Sequence, residues 1–553
     1  MVNIGLKEGL KIEFKRDVPP LQDSVLADVV VSFANTEGGV LYIGVDDDGE
    51  ISGLHPCHEN HVSLGAVIAN NTNPPVNAGV EKIEGDVPYI MVTVPKNKYG
   101  LTATSGGKIL RRQIKTDGSP EMVPVYPYEI LSRLSGLGCY DYSMEVVPGA
   151  ACQDLDSGQR ERLRKIIKEY GGDTALLDLS DSELDKALGF VKSENGHYVP
   201  TVTGLLMIGK EASIASLLPT ADTAFQVMEG SSVRVNVSWK KPVLEIFELI
   251  SEYMRVWNPE REILSGMYRI SVTEFNIRAF REALVNAFCH RDYAVLGRVR
   301  VLIDDYGLTI SSPGGFIEGV TLENLLTVEP NGRNPGLADA LKRIGLAERT
   351  GRGIDRIYEG SLIYGKPQPD YSESDAKSVK LFIQRAVPDE AFTLMILEEK
   401  NRLGRDLPIH SLLILSLLKD ERRCDVSRIA GCIHISESKV RAGVAQLVES
   451  GLVEVRGSGR GASYMLSSKV YRRTSDIAAY VRQKDIDAMR QVPLVLQFVE
   501  SKGSVTRNDV CDLLHLSSPQ AYRVLSKMTD SGVLVLVGKG RGAKYVLAVS
   551  KNT

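Results

Sequence analysis

The sequence predicts a multidomain α+β protein that ends in a duplicated helical unit carrying a β-hairpin. Three observations predict it. A chain of 553 residues is long enough for roughly three to five domains. Its apolar pattern switches repeatedly between helical and strand period. The stretch Gly451 to Tyr464 recurs as Gly532 to Tyr545, offset by 81 residues throughout.

Composition narrows the class. Hydrophobic residues make up 43% and charged residues 25%, which excludes a disordered, collagenous or disulfide-scaffold protein. Seven widely spaced cysteines do not form a disulfide framework, and a reducing cytoplasm is the expected location. Met1 to Glu8 is charged early and lacks the apolar core of a signal peptide. The longest apolar candidate, Val25 to Ala34, is ten residues and contains Asp28, so no membrane span is expected. Net charge is only −4, but from Asn401 onward 24 Lys and Arg face 14 Asp and Glu. That surplus of ten, on an otherwise acidic chain, points the C-terminal part toward a polyanion.

From the N-terminus, Glu8 and Glu13 flank a first strand, a helix follows over Leu21–Asn35, and Gly38-Gly39 turns the chain into the apolar strand Val40–Val45. That strand runs into the acidic turn Asp46-Asp47-Asp48-Gly49. Three carboxylates from separate elements, Glu8, Glu13 and Asp46, could converge on Mg²⁺ or Mn²⁺ as metal-assisted nucleases require. Lys15 would meet a phosphate. Glu8, Glu13, Phe14 and Lys15, then Ala34 to Gly39, Gly44 to Gly49, and the later Arg111-Arg112 and Pro127 to Ile130 together resemble the Schlafen AlbA-type domain over about residues 5–135. The resemblance implies a nucleic-acid-binding α+β domain. In some relatives it implies an endoribonuclease using two glutamates and an aspartate, here Glu8, Glu13 and one of Asp46 to Asp48. His55, Cys57, His58 and His61 form a denser cluster, which a solvated loop explains better than zinc.

The region 139–268 reads as a connecting α/β domain, with a charged helix over Asp156–Tyr170 and strands over Tyr198–Ile208 and Thr223–Val237. Gly204 to Lys210 imitates a phosphate-binding loop but lacks the Ser or Thr that holds Mg²⁺, and its apolar interior reads as a buried strand. No helicase motor is expected.

In Thr273 to Tyr293, Phe280, Leu284, Val285 and Phe288 follow helical period, which puts Glu282 and Asn286 four apart on one face. A strand pair, Val299–Asp304 and Leu308–Ser312, follows and ends at Ser312-Pro313-Gly314-Gly315. Gly351-x-Gly353 then opens a helix, a position suited to a phosphate. The run Arg281 to Tyr293 resembles the divergent GHKL-type ATPase modules found beside Schlafen-type domains in bacteria, often labelled RecG-like helicase-related or transcriptional-regulator proteins. The resemblance spans about 270–385. It implies ATP with Mg²⁺, Glu282 as the catalytic water-activating base, Asn286 as the Mg²⁺ ligand, and Gly314, Gly351 and Gly353 around the nucleotide. One departure is clear: the family holds the adenine amino group with an Asp where this chain has Ser312.

Each C-terminal repeat reads helix, turn, helix, then two strands joined by a Gly-rich loop, the winged-helix pattern. Lys439 and Arg441, and Arg523 and Lys527, fall in the predicted recognition helices, and Arg460, Lys539 and Arg541 at the wing tips. All are candidate nucleic-acid contacts.

The expected domains are 1–135 (Schlafen AlbA-like), 136–269 (connecting α/β), 270–388 (α/β GHKL-like), and winged helices at 405–470 and 488–550. The expected function is a cytoplasmic, homodimeric DNA-binding regulator of transcription that responds to nucleotide. RNA is a second candidate partner, and the alternative function is a metal-dependent nuclease.

Overall fold

A computed structural model describes residues 3–265, 268–329, 332–348, 351–457, 462–467, 491–514, 518–538 and 543–548. The chain divides into two compact units, one built from most of the first 386 residues and one from 387 onward with two short earlier segments.

The first unit opens with strand Ile12–Lys15, helix Asp23–Ala34 and strand Gly39–Ile43. The two strands pair in parallel, as a strand–helix–strand unit must when the helix crosses back. Strands Tyr89–Val94 and Gly79–Ile83 extend the sheet antiparallel. The helix buries Val29, Val30 and Phe33 against Leu41, Ile43, Ile90 and Val92. Apolar side chains on the helix and on one sheet face thus close a core of their own. The motif Asn35 to Gly39 is what closes it. The Asn35 amide donates to the carbonyls of Thr102 (2.7 Å) and Leu110 (2.9 Å) and accepts from Thr102 N–H (2.8 Å). Gly38 has φ +67°, and a Cβ at Gly39 would stand 2.5 Å from the Phe33 ring, so neither place admits a side chain.

The charged helix expected from Asp156 is present as Ser157–Tyr170, capped by the Asp156 carboxylate on Gly158 N–H. The strand expected over Tyr198–Ile208 is not. Only His197–Pro200 is extended, and Val202–Ile208 is a fully buried helix, N-capped by Thr201. A short apolar run with both faces buried carries no period to tell helix from strand, and Thr201 was the discriminating signal. The expected single strand over Thr223–Val237 is two, Asp222–Glu229 and Ser232–Trp239, turned at Gly230.

Those two strands also cross the expected boundary at 269. They form one five-stranded sheet with Arg298–Ile303, Gly307–Pro313 and Ser378–Gln384, in the order 232–239, 222–229, 298–303, 307–313, 378–384. Strand Asp222–Glu229 lies parallel to Arg298–Ile303. Helix Ile277–His290 packs on this sheet. Asn276 caps it, accepting from Arg278 N–H and Ala279 N–H, and Phe280, Leu284, Val285 and Phe288 are buried as their spacing predicts.

The second unit contains helix Glu390–Leu403, capped by Asp389. Helices Ile409–Glu421, Val426–Ile433 and Glu437–Glu449 follow, then the hairpin Val453–Arg456 with Ser463–Leu466. Helices Gln491–Lys502, Arg507–Leu514 and Ser518–Asp530 and the hairpin Leu534–Val537 with Lys544–Leu547 repeat the order. The 81-residue offset survives in detail: the bridge Cys424–Tyr464 returns as Val505–Tyr545, and the ladder start Val453–Leu466 as Leu534–Leu547. The linker helix expected at 470–490 lies outside the described residues. Among the described residues no helix is long and apolar enough to cross a membrane, and all seven cysteines are free thiols.

Candidate functional site

The N-terminal carboxylates do not assemble as expected. Glu13, in the first strand, is buried, and its two oxygens are taken by Arg112 (2.6 Å) and Lys15 (2.5 Å). Arg112 is 3% exposed, also donates to the Gly9 carbonyl, and lies 4.6 Å from the Phe33 ring centre. Lys15, expected to meet phosphate, is therefore committed to Glu13 and to the Phe14 carbonyl. Glu8 accepts from Phe14 N–H, and burial raises its pKa, with the Glu13 and Asp47 charges adding to the rise. Asp46 sits in the turn, 3.8 Å from the Arg16 guanidinium. Among the described residues no three His, Cys, Asp or Glu side chains are grouped to hold a metal ion. With both Glu13 oxygens neutralised by cations of the chain itself, Glu8, Glu13 and Asp46 do not present a donor set that fits Mg²⁺ or Mn²⁺.

In the His55–His61 segment, His55 Nδ1 lies 3.0 Å from Cys57 Sγ, and the segment is tied down by Asp17. The fully buried Asp17 accepts from His58 Nδ1 (2.7 Å), His55 N–H (2.7 Å) and Leu21 N–H (3.0 Å). The segment is thereby pinned to the module.

The central residues do come together. A cavity of about 540 Å³ opens beside helix Ile277–His290. Glu282, Asn286 and His290, on successive turns of one helical face, all line it. Opposite them stand Ile310, Ser312, Val379 and Leu381 from the sheet, with Phe316 and Tyr371. Gly351 and Gly353, which begins the helix Gly353–Leu362, complete the wall. Gly314 does not line it. That glycine has φ +94° and a Cβ there would stand 2.8 Å from Asp292, so its role is conformational and Gly315 reaches the cavity instead.

Glu282 is 5% exposed, and burial raises its pKa against the opposing pull of Arg281. It accepts a backbone hydrogen bond from Glu348, and its Oε2 lies 3.3 Å from where a Cβ on Gly353 would stand. A larger residue at 353 would press on the carboxylate.

The residues next to this face, His290 to Tyr293, lock the wall. Arg291 is 1% exposed and donates to the carbonyls of Asp292 and Gly297. Asn334 donates to the carbonyls of Cys289 and Arg291. Arg333 donates to the Gly315 carbonyl (3.1 Å) and the Ser132 carbonyl (3.1 Å), and pairs with Asp292 (3.4 Å). Ser132 Oγ also donates to Asp292. Ser132 belongs to helix Pro127–Gly136, so the wall of the cavity is stitched to the N-terminal module through buried, charge-assisted bonds. Sequence reasoning missed Arg112, Arg333 and Asp292 as organising residues. Their signal is a charged residue inside an otherwise structured motif, and their side-chain partners lie 41 to 160 residues away.

In the second unit Lys439, Arg441, Arg523 and Lys527 are all exposed on the third helix of their repeat. Arg441 is paired to Glu437 at 2.7 Å, one turn earlier. Arg460, Lys539 and Arg541 lie outside the described residues.

Comparison with known proteins agrees with the two resemblances seen in the motifs. Residues 8–118 match the family model "Schlafen, AlbA_2". Residues 297–383 match the model described as "Putative ATP-dependent DNA helicase recG C-terminal". Residues 138–223 match a domain of unknown function. The chain is thus a mixed α+β protein with a Schlafen AlbA-type module and an ATPase-like module. The pairing makes it a nucleic-acid-related protein. A crystal structure of the DIP2311 protein from Corynebacterium diphtheriae aligns over 97% of this chain and 95% of that chain, with 20% identity and a TM-score of 0.50. That likeness concerns the fold alone. No curated protein matches the chain.

Proposed function

We propose that this chain is a DNA-binding regulator whose binding state is set by a nucleotide in the central cavity. The observation that carries the reading is the cavity itself: Glu282 and Asn286 face one space together with Gly351 and Gly353. Its volume suits a nucleotide-sized ligand, and its walls are largely apolar with a few convergent polar groups. Asn286 would hold the Mg²⁺ of a bound nucleotide and Glu282 would orient water beside it. A bound nucleotide supplies the phosphoryl chemistry; the chain binds, encloses and orients it.

On this reading the two C-terminal repeats are winged helices. Three helices followed by a hairpin support it, as do the exposed basic residues on each third helix, the one that enters the major groove in such folds. The buried Arg333 bonds to Ser132 and Gly315 supply a path by which occupancy of the cavity acts on the N-terminal module.

Fluorescence anisotropy of the full chain with labelled duplex DNA tests this, with and without ATP and Mg²⁺. Expected are affinity that falls steeply between about 50 and 200 mM salt, a shift in affinity on adding nucleotide, and loss of that shift in Asn286→Ala. Lys439→Ala combined with Arg523→Ala should weaken binding about uniformly across sequences and lower the salt slope by about two. Folded RNA serves as competitor, and light scattering reports whether the binding species is the expected homodimer. Absence of DNA affinity at low salt overturns the reading. Strand cleavage in Mn²⁺ that disappears in Glu13→Ala would replace it with a nuclease.

A further inference from the structure

The wall that the sheet gives to the cavity carries a single polar side chain among the described residues. Strands Gly307–Pro313 and Ser378–Gln384 run antiparallel, with Ile310 opposite Leu381 and Ser312 opposite Val379. Alternation along each strand turns these side chains to one face, and all of them line the cavity. Ser312 is 4% exposed, and its hydroxyl makes no hydrogen bond among the described residues. A hydroxyl that is out of water and unpartnered costs free energy where it stands. Beside open space, it is ready for a ligand atom.

Its place in the cavity says which part of a nucleotide it meets. The Pro313 carbonyl accepts from Asp292 N–H (2.8 Å), just beyond helix Ile277–His290, so Ser312 stands toward the C-terminal end of that helix. Gly353 stands nearer its start: a Cβ there would lie 3.3 Å from Glu282 and 3.8 Å from Asn286. The phosphates belong with Glu282, Asn286 and the beginning of helix Gly353–Leu362, whose dipole favours an anion. The base is left to the flat wall of Ile310, Val379 and Leu381, beside the Phe316 and Tyr371 rings, whose centres lie 6.2 Å apart. A carboxylate on such a wall would only accept, so it would select an exocyclic amino group and repel a carbonyl. A serine hydroxyl donates as readily as it accepts. It can take the amino group of adenine or give to the carbonyl of hypoxanthine and guanine. Tyr371, kept a neutral phenol by the burial that raises its pKa, has the same versatility. The apolar remainder of the wall cannot strongly reject one isostere in favour of another.

We infer that Ser312 meets the purine edge of the bound nucleotide without telling an amino group from a carbonyl, so that the cavity takes adenine and oxopurine nucleotides alike. This rests on the nucleotide reading of the cavity and adds its base specificity.

Isothermal titration of the full chain with ATP and with ITP, each with Mg²⁺, tests the specificity, because the two bases differ at the edge that Ser312 would meet. Wild type should bind both within about threefold. Ser312→Ala should weaken both by a similar factor, about two- to tenfold, and leave their ratio unchanged. Its hydroxyl has no partner in the chain to lose, so this variant should fold, and its thermal transition checks this. Ser312→Asp, which can only accept, should open a preference for ATP of about tenfold or more. If a buried carboxylate there prevents folding, Ser312→Ala decides the matter by itself. A wild type that prefers one nucleotide by more than about thirtyfold overturns the inference. So do affinities that are equal in wild type and Ser312→Ala. Either result leaves the nucleotide reading standing. If wild type binds neither ATP nor ITP, both fall.

Discussion

Two acidic motifs in this chain look alike in sequence and end as opposites. Glu8, Glu13 and Asp46 sit at the N-terminal module; Glu282 sits with Asn286 in the centre. Glu13 is met by Arg112 and Lys15, so its charge is spent within the fold. Glu282 is as deeply buried, yet it faces an open cavity and its nearest guanidinium groups only partly offset the cost. The difference teaches where to look for chemistry. A buried carboxylate that the chain neutralises is a strut; one that the chain leaves without an ion pair beside empty space is poised for a ligand.

The sharpest way to break this comparison is to remove the strut's cation. Arg112→Met should leave Glu13 buried beside Lys15 alone and cost about 3–5 kcal/mol. Hydrogen exchange across strand Gly39–Ile43 in the full chain would show the loss as faster opening of the N-terminal module. Glu13→Gln should cost less, about 1–3 kcal/mol, since the amide oxygen still accepts from Arg112. An Arg112→Met protein that stays as protected as wild type would mean that the pair is no strut, and would return Glu13 to the list of functional candidates.

A smaller loss is expected where the strut meets the cavity. Arg333→Met removes the ion pair to Asp292 and the bonds to Ser132 and Gly315. Asp292 keeps its bonds from Ser132 Oγ and Ala294 N–H, so the cost should be about 2–3 kcal/mol. Exchange should quicken in helix Pro127–Gly136 as well as at the cavity wall. If only the wall quickens, the link between the modules carries no energy.

Much of this architecture was legible in the sequence, for identifiable reasons. Helix Ile277–His290 announces itself by period and by its Asn276 cap. The C-terminal repeats announce themselves by recurrence, down to the 81-residue spacing of paired strands. The cavity was legible as a set of residues, since Glu282, Asn286, Gly351 and Gly353 do meet there. What was not legible depends on distance along the chain. Nothing local to Glu13 announces Arg112, 99 residues later, and nothing local to Asp292 announces Ser132, 160 residues earlier. The sheet that joins Asp222–Glu229 to Arg298–Ile303 hides for the same reason, because strand partners are chosen by packing that a single segment does not record. Val202–Ile208 was misread because a run buried on all sides has no pattern to read.

The smallest expected effect distinguishes the two carboxylates by pH. Burial holds the Glu282 carboxyl above its ordinary range. The folded protein then keeps a proton at pH values where the unfolded chain, titrating near about 4.3, has released it. Stability linked to this group therefore falls as pH rises from the unfolded value through the folded one, and stays lower above it. Glu282→Gln removes that slope. The variant should unfold at a temperature equal to or slightly above wild type near pH 8, and the difference should shrink toward about pH 4. Adding ATP with Mg²⁺ should stabilise wild type and variant alike, because the carboxylate orients water and Asn286 holds the ion. A Glu282→Gln protein that is clearly less stable at pH 8 would show that the bond from Glu348 N–H and the field of Arg281 outweigh burial. Glu282 would then belong with Glu13, and the contrast between strut and site would reduce to the cavity alone.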